Sequence, residues 1–237
     1  MPVFCIRNGL LAIALSVTCG FCSVTIKAED SASAGLDRSA SGSQKVIAEA
    51  ERILSQVKET SYSHKTSVDE AAGAYHLDCS GLACLVLKKT APAALKEVPV
   101  NGGEKRALAH DFYELFKNPA STAHWKAVEK LKDLQPGDFI AWKNEDYQPG
   151  ENTGHVMIVA VAPVVEKGVI YQVTVIDSSG SGHGQDTRKP GENGVGKGTL
   201  YFTVDSEGVP VGVRFTSPAG KLNKKLITLG RLVDSAR

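Results

Sequence analysis

The apolar residues of this chain change period part-way along, and that change limits the fold more than any other feature. Up to about residue 132 they recur every three or four positions, as on helices with one buried face. Val46, Ile47, Ala50, Ile53, Leu54 and Val57 mark a helix over residues 44–58. Leu82, Leu85 and Val86 mark a second from Cys79 to Lys88, with Asp78 placed to cap its start and Lys88 and Lys89 suited to its end. A third is predicted over Glu104–Lys117 through Leu108, Phe112, Leu115 and Phe116, and a fourth over Thr122–Lys132. The turn Leu134-Gln135-Pro136-Gly137-Asp138 then opens a series of β-branched runs: Phe139–Trp142, His155–Val161, Val169–Asp177 and Leu200–Val204. Val211–Phe215 and Lys225–Leu229 are weaker strand candidates. Helices first and an antiparallel sheet second is an α+β order.

The first thirty residues follow a different logic. Arg7 precedes an uncharged, largely apolar run from Gly9 to Ile26, and acidic, Ser-rich sequence follows. That is the order of an export signal, so residues 1–28 are read as a signal peptide. The rival reading is an uncleaved membrane anchor. Residues 29–43 read as a flexible Ser/Ala/Gly-rich linker and 44–237 as one domain, secreted or held in the periplasm or cell envelope. A net charge of +1 and 6% aromatic residues give no sign of a nucleic-acid partner. Signal removal takes three of the five cysteines and leaves Cys79 and Cys84. Five residues apart on a helix, these point in different directions and do not pair easily.

Cys79 opens its helix. A thiol there meets unpaired N–H groups and the positive end of the helix dipole, and such thiols have pKa values of about 3.5–7.5 rather than about 8.5. The bland alternative is a small buried residue. A base is within reach of the argument. If residues Pro163–Gly168 connect two antiparallel strands symmetrically about Glu166, Met157 meets Val175, Val159 meets Val173, and His155 meets Asp177. Opposed side chains have Cβ atoms about 4.5–5.5 Å apart, close enough for a carboxylate to orient a ring. Cys79, His155 and Asp177 then form a nucleophile–base–orienter set.

These residues resemble the NlpC/P60 family of papain-like cysteine peptidases. The resemblance rests on Asp78-Cys79-Ser80-Gly81-Leu82 opening a helix, on Leu134-Gln135-Pro136-Gly137-Asp138-Phe139, and on Gly154-His155-Val156-Met157-Ile158-Val159, and covers roughly Gln44 to Asp177. It implies a papain-like fold with Cys79 as nucleophile and His155 as general base. It also implies Tyr75 near the oxyanion site, Asp78 and Ser80 binding a free amino end, and peptidoglycan stem peptides as substrates, cut between D-glutamate and a diamino acid. The chain departs from the family in offering Asp177 where His, Asn or Gln is usual, and in a long Cys79–His155 interval. The alternatives are a catalytically silent member that binds cell-wall peptides, and another amidase or acyltransferase on the same scaffold. No cofactor is required.

Several motifs are set aside. Residues Gly191–Gly198 nearly spell a phosphate-binding loop, but Gly198 stands where Ser or Thr belongs and strand-like residues follow. The run Ser178–Gly198 reads instead as a long loop beside the site, in which His183, Asp186 and Arg188 are solvated or touch substrate. His76 is a candidate for the site because it lies three residues before Cys79. His64, His110 and His124 read as surface or packing histidines, and Cys84 as packing. Cys79, His155 and Asp177 are acceptable zinc ligand types, but no paired Cys/His spacing supports a metal.

Overall fold

Ser41 accepts a hydrogen bond from the Gln44 backbone while the Gln44 side chain accepts one from Ser41, a reciprocal cap that fixes where the first helix begins. In the computed structural model, which describes residues 41–101, 103–144 and 152–234, helix α1 therefore runs Gly42–Gln56, two residues ahead of the expected start. The remainder of the expected linker, residues 29–40, and the expected signal peptide lie outside the described residues. Among the described residues no helix is long and apolar enough to cross a membrane.

After α1 come three short strands, β1 (Glu59–Ser61), β2 (Ser67–Asp69) and β3 (Ala74–His76), which form a small sheet in the order β1-β3-β2. Helix α2 runs Cys79–Thr90 with Asp78 as its cap, as expected. A short helix α3 (Pro92–Glu97), not foreseen, starts on a proline whose missing N–H costs nothing there. Helix α4 covers only Ala109–Lys117 of the expected Glu104–Lys117, because Asp111 accepts the Leu108 N–H at 2.8 Å and closes the helix start at that point.

The helix expected over Thr122–Lys132 is a strand, β4 (Trp125–Ala127), followed by a 3-10 turn at Leu131–Asp133. Its apolar residues do not share one face: Trp125 enters the core under the helices, donating from Nε1 to the Ala94 carbonyl, while Val128 and Leu131 enter the core on the opposite side of the sheet. Strands β5 (Phe139–Lys143), β6 (Gly154–Lys167), β7 (Ile170–Ser179), β8 (Gly194–Val204), β9 (Pro210–Arg214), β10 (Asn223–Lys224) and β11 (Leu226–Leu232) complete the fold. The described strands of the large sheet lie in the order β10-β9-β8-β7-β6-β5-β11-β4, every neighbouring pair antiparallel.

Alternation along β5 sorts the two cores. Phe139 and Ala141 face α1, α2 and α4, whereas Ile140 and Trp142 face a second apolar layer with Met157, Val159, Val175 and Phe202. The sheet curls enough for β9 and β11 to touch without being hydrogen-bonded neighbours. The expected turn Leu134–Asp138 is present. Pro136 and Gly137 (φ 87°) form its centre, Asp138 N–H bonds the Gln135 carbonyl at 3.0 Å, and Asp138 is gripped by Arg231 at 2.8 and 2.7 Å.

The β6–β7 hairpin corrects the expected register. Its strands run to Lys167 and from Ile170, so Pro163–Gly168 is mostly strand, and the observed partners are Ile158↔Ile176 and Val159↔Val175. That is a displacement of two residues from the expected pairing, produced by the short turn and by irregularities between Val159 and Lys167. At the site end of the hairpin the displacement is even, so the side chains there keep their faces. His155 and Asp177 therefore remain on one face as diagonal rather than directly opposed neighbours.

Candidate functional site

The site lies at the end of the sheet where β6 begins, β7 ends and the first turn of α2 arrives. Ser178 Oγ donates to the Leu77 carbonyl at 2.6 Å, tying the end of β7 to the residue before the helix cap. Thr60 on β1 accepts the Val195 N–H at 2.8 Å and ties the small sheet to β8. Gly154 (φ 144°) lets the β6 backbone pass against Trp142, and the next residue, His155, turns into the site.

The structure brings Cys79, His155 and Asp177 together. His155 Nε2 donates to Asp177 Oδ2 at 2.6 Å, and Cys79 is near enough to the same ring to act on its charge. With Nε2 committed to the carboxylate, Nδ1 is the nitrogen left for another partner. Burial alone would depress the imidazole. The nearby Cys79 sulfur and the bond to Asp177 outweigh that and push its pKa up to about 10. Burial likewise opposes the Asp177 charge, but His183 and His155 hold the carboxyl well below the usual carboxylate range. Cys84 sits five residues along on another helix face, its Sγ 3.8 Å from the Ala107 carbonyl, and burial pushes its thiol up to about 12.

The remaining expected residues are distributed differently. Tyr75 is fully buried, and its neighbouring charges are Glu70, Arg52, Lys89 and Glu49 rather than the site groups. The tyrosine beside Cys79 is Tyr62, which follows β1. Burial, then the Cys79 and Asp78 charges, raise its phenol above the ordinary value and keep it a donor. Nothing in the sequence around Tyr62 distinguishes it, since its approach depends on the β1–β3 pairing. Asp78 and Ser80 stand next to Cys79 but are spoken for. Arg106 donates to both Asp78 oxygens at 2.7 Å and to Ser80 Oγ at 2.6 Å, and Asp78 also caps Gly81 and meets His64 Nδ1 at 3.2 Å. Both are almost wholly buried, so an incoming amine would have to displace Arg106 to reach them. His76 bonds Ser61 Oγ at 2.7 Å on the small sheet and takes no part.

The Gly-rich run supplies the largest surprise. Its ends are strand, and the segment between, residues 180–193, folds back over β8 at Gly184, with His183, Gly184 and Arg188 buried. His183 Nε2 donates to Asp177 Oδ2 at 2.8 Å and Arg188 Nη2 to Asp177 Oδ1 at 3.0 Å, both side chains buried. Asp177 thus carries three partners. The only sequence signal was proximity: both residues follow Asp177 within one short segment.

The ligand-type atoms of His155, Asp177 and His183 lie within 4.8 Å of one another, which invites a metal reading. The geometry opposes it. Asp177 Oδ2 already joins both rings at hydrogen-bond distance, and the other oxygen holds the Arg188 cation, so a metal ion would break two bonds and sit beside a guanidinium.

A cleft of ≈ 330 Å³ opens beside His155, lined in part by Tyr62, Trp142, Ser179, His183 and Phe215. Trp142 packs on the His155 ring at 5.1 Å between centroids. A larger cleft of ≈ 650 Å³ shares Asn144 and Lys225 with it. No family model, curated protein or solved structure matches the chain.

Proposed function

We propose that this chain is an exported cysteine hydrolase of papain-like, NlpC/P60-type design, acting on amide bonds, with peptidoglycan stem peptides as the substrate class. One observation carries the reading. A cysteine at a helix start lies beside an imidazole whose Nε2 is anchored to a buried carboxylate 2.6 Å away. The reaction follows from those positions. Cys79 Sγ attacks the amide carbon, and the carbonyl oxygen takes the negative charge. The N–H groups of Cys79 and Ser80 lie in the helix's first turn and have no acceptor one turn back. They and the Tyr62 hydroxyl are the donors available to that oxygen. His155 gives its Nδ1 proton to the departing nitrogen, leaving a thioester. It then takes a proton from water, whose oxygen attacks the thioester carbon and releases the acid and the thiolate.

Alkylation by iodoacetamide, read by mass spectrometry between pH 4 and 9, tests the nucleophile. Cys79 is expected to react at pH 6 at least about tenfold faster than Cys84, and His155→Ala to remove most of that advantage. Equal, slow reaction of both thiols would sink the enzyme reading and leave the silent peptide-binding module. The base makes a separate expectation for pH. The stabilisation His155 gives in its charged form is complete below its ordinary pKa of 6.5 and is lost as pH rises through about 10. The proton needed by the leaving nitrogen disappears over the same range. Turnover of an amide substrate should therefore hold to about pH 9 and fall near pH 10, whereas alkylation should not fall; a limb near 6.5 would count against the ion pair.

A further inference from the structure

The near-phosphate-loop at residues 191–198 has a use in this fold. Gly196 and Gly198 lie on β8 opposite Asp177 and Val175. A Cβ on Gly196 would come 2.5 Å from Arg188 Nε and 2.8 Å from its Cγ and Cδ. One on Gly198 would come 2.5 Å from Asp186 Oδ2 and 2.9 Å from His183 Cβ. The two glycines form a flat seat on which the returning segment lies. That segment is pinned along its length. Gly184 and Thr199 exchange backbone bonds at 3.0 and 2.6 Å, Thr187 N–H meets the Lys197 carbonyl at 2.9 Å, and Asp186 accepts the His183 N–H at 2.7 Å. Asp186 also takes Arg188 Nε and Nη2, each at 2.8 Å, and Arg188 Nη1 reaches the Gly194 carbonyl at 2.8 Å.

We infer that His183 and Arg188 are positioning residues that act on His155 through Asp177, and that Gly196 and Gly198 form their seat. The inference rests on the hydrolase reading above. A carboxylate held by one imidazole alone is free to rotate and is costly to keep ionised when buried. Arg188 fixes one oxygen and supplies the compensating charge. His183 takes a second position on the other oxygen, so the remaining direction points to His155 Nε2. His183 is not itself placed to act as base: like His155 it bonds Asp177 through Nε2, but its Nδ1 is buried without a hydrogen-bond partner among the described residues, and its ring stands edge-on to that of His155 with centroids 6.4 Å apart.

The test is the pH profile of Cys79 alkylation in the full-length protein and its His183→Phe, His183→Gln and Gly198→Ala variants, with circular dichroism confirming the fold. Phe at 183 and Ala at 198 are expected to slow alkylation at pH 6 by about tenfold, while Gln, which can still donate to Asp177, restores it to within about threefold. Should the Phe variant fail to fold, Arg188→Lys carries the same comparison, since it keeps the charge and loses the fork. Folded variants that melt earlier but superimpose on the wild-type profile would overturn the inference and leave His183 a purely structural residue. A wild-type protein with no His155-dependent reactivity is a different failure: the hydrolase reading goes, and the positioning role goes with it.

Discussion

Asp177→Ala is expected to cost about 3–5 kcal/mol of folding stability, because it leaves buried cationic partners uncompensated. The carboxylate is wholly buried and accepts bonds from His155, His183 and Arg188 at 2.6, 2.8 and 3.0 Å. Its removal leaves Arg188 with Asp186 as its one remaining carboxylate, and two ring N–H groups with none. The sign with pH follows from the direction of the shift. A carboxyl held below its ordinary value stabilises the fold fully above pH 4 or so and loses that contribution as pH falls through its native value. Urea unfolding at pH 7 should therefore show the full gap between wild type and variant, and the gap should shrink in strong acid. On the hydrolase reading, turnover falls by about 10³-fold or more, the scale seen when an orienting carboxylate is lost from a nucleophile–base pair. A gap at pH 7 under about 1 kcal/mol would mean that Asp177 is not the centre of this network.

Gly137→Ala should be nearly as costly, by about 3 kcal/mol or more, through backbone rather than charge. Gly137 sits at φ 87°, and a Cβ there would overlap the Ser43 carbonyl at the start of α1, with the carbonyl carbon 2.6 Å away. The same residue donates its N–H to the Val159 carbonyl at 2.8 Å, so it cannot retreat without disturbing β6. For a domain of this size the melting temperature should drop by about 6–12 °C. Gly191→Ala provides the control. Its φ is 85° but nothing lies within 4 Å of the added carbon, so only the left-handed backbone cost of about 1 kcal/mol applies. Equal effects from the two substitutions would show that the turn moves aside and that the close approach to α1 is not restrictive.

The parts of the fold legible in the sequence were those set by local signals. The capped start of α2, the Pro-Gly turn and the β-branched runs each carry their own physical reason. What escaped was decided by pairing partners far along the chain. The region around Trp125 reads as helical, but Trp125, Val128 and Leu131 are divided between two cores, a division that exists only once β4 pairs with β11. The hairpin register missed by two residues because irregularities in β6 leave no mark in a run of valines. Side-chain parity survived, so His155 and Asp177 still share a face. The grouping of Cys79, His155 and Asp177 was legible in the sequence and its supports were not. Tyr62, Arg106, His183 and Arg188 reach the site from loops or from the short segments beside β1, and loops carry no period from which a direction could be read.

Cys79, His155 and Asp177 also differ in how far the chain must travel to unite them. His155 and Asp177 lie 22 residues apart on one hairpin, and such hairpins close in about 1–10 μs. Cys79 arrives on a helix made from an earlier stretch, and its docking requires long-range closure, the slow part of folding for sheet-rich topologies. A chain stopped between those events has its base already oriented and no nucleophile for it to serve. On the hydrolase reading the centre is complete only once α2 has docked, and alkylation of Cys79 followed during refolding is expected to time that docking.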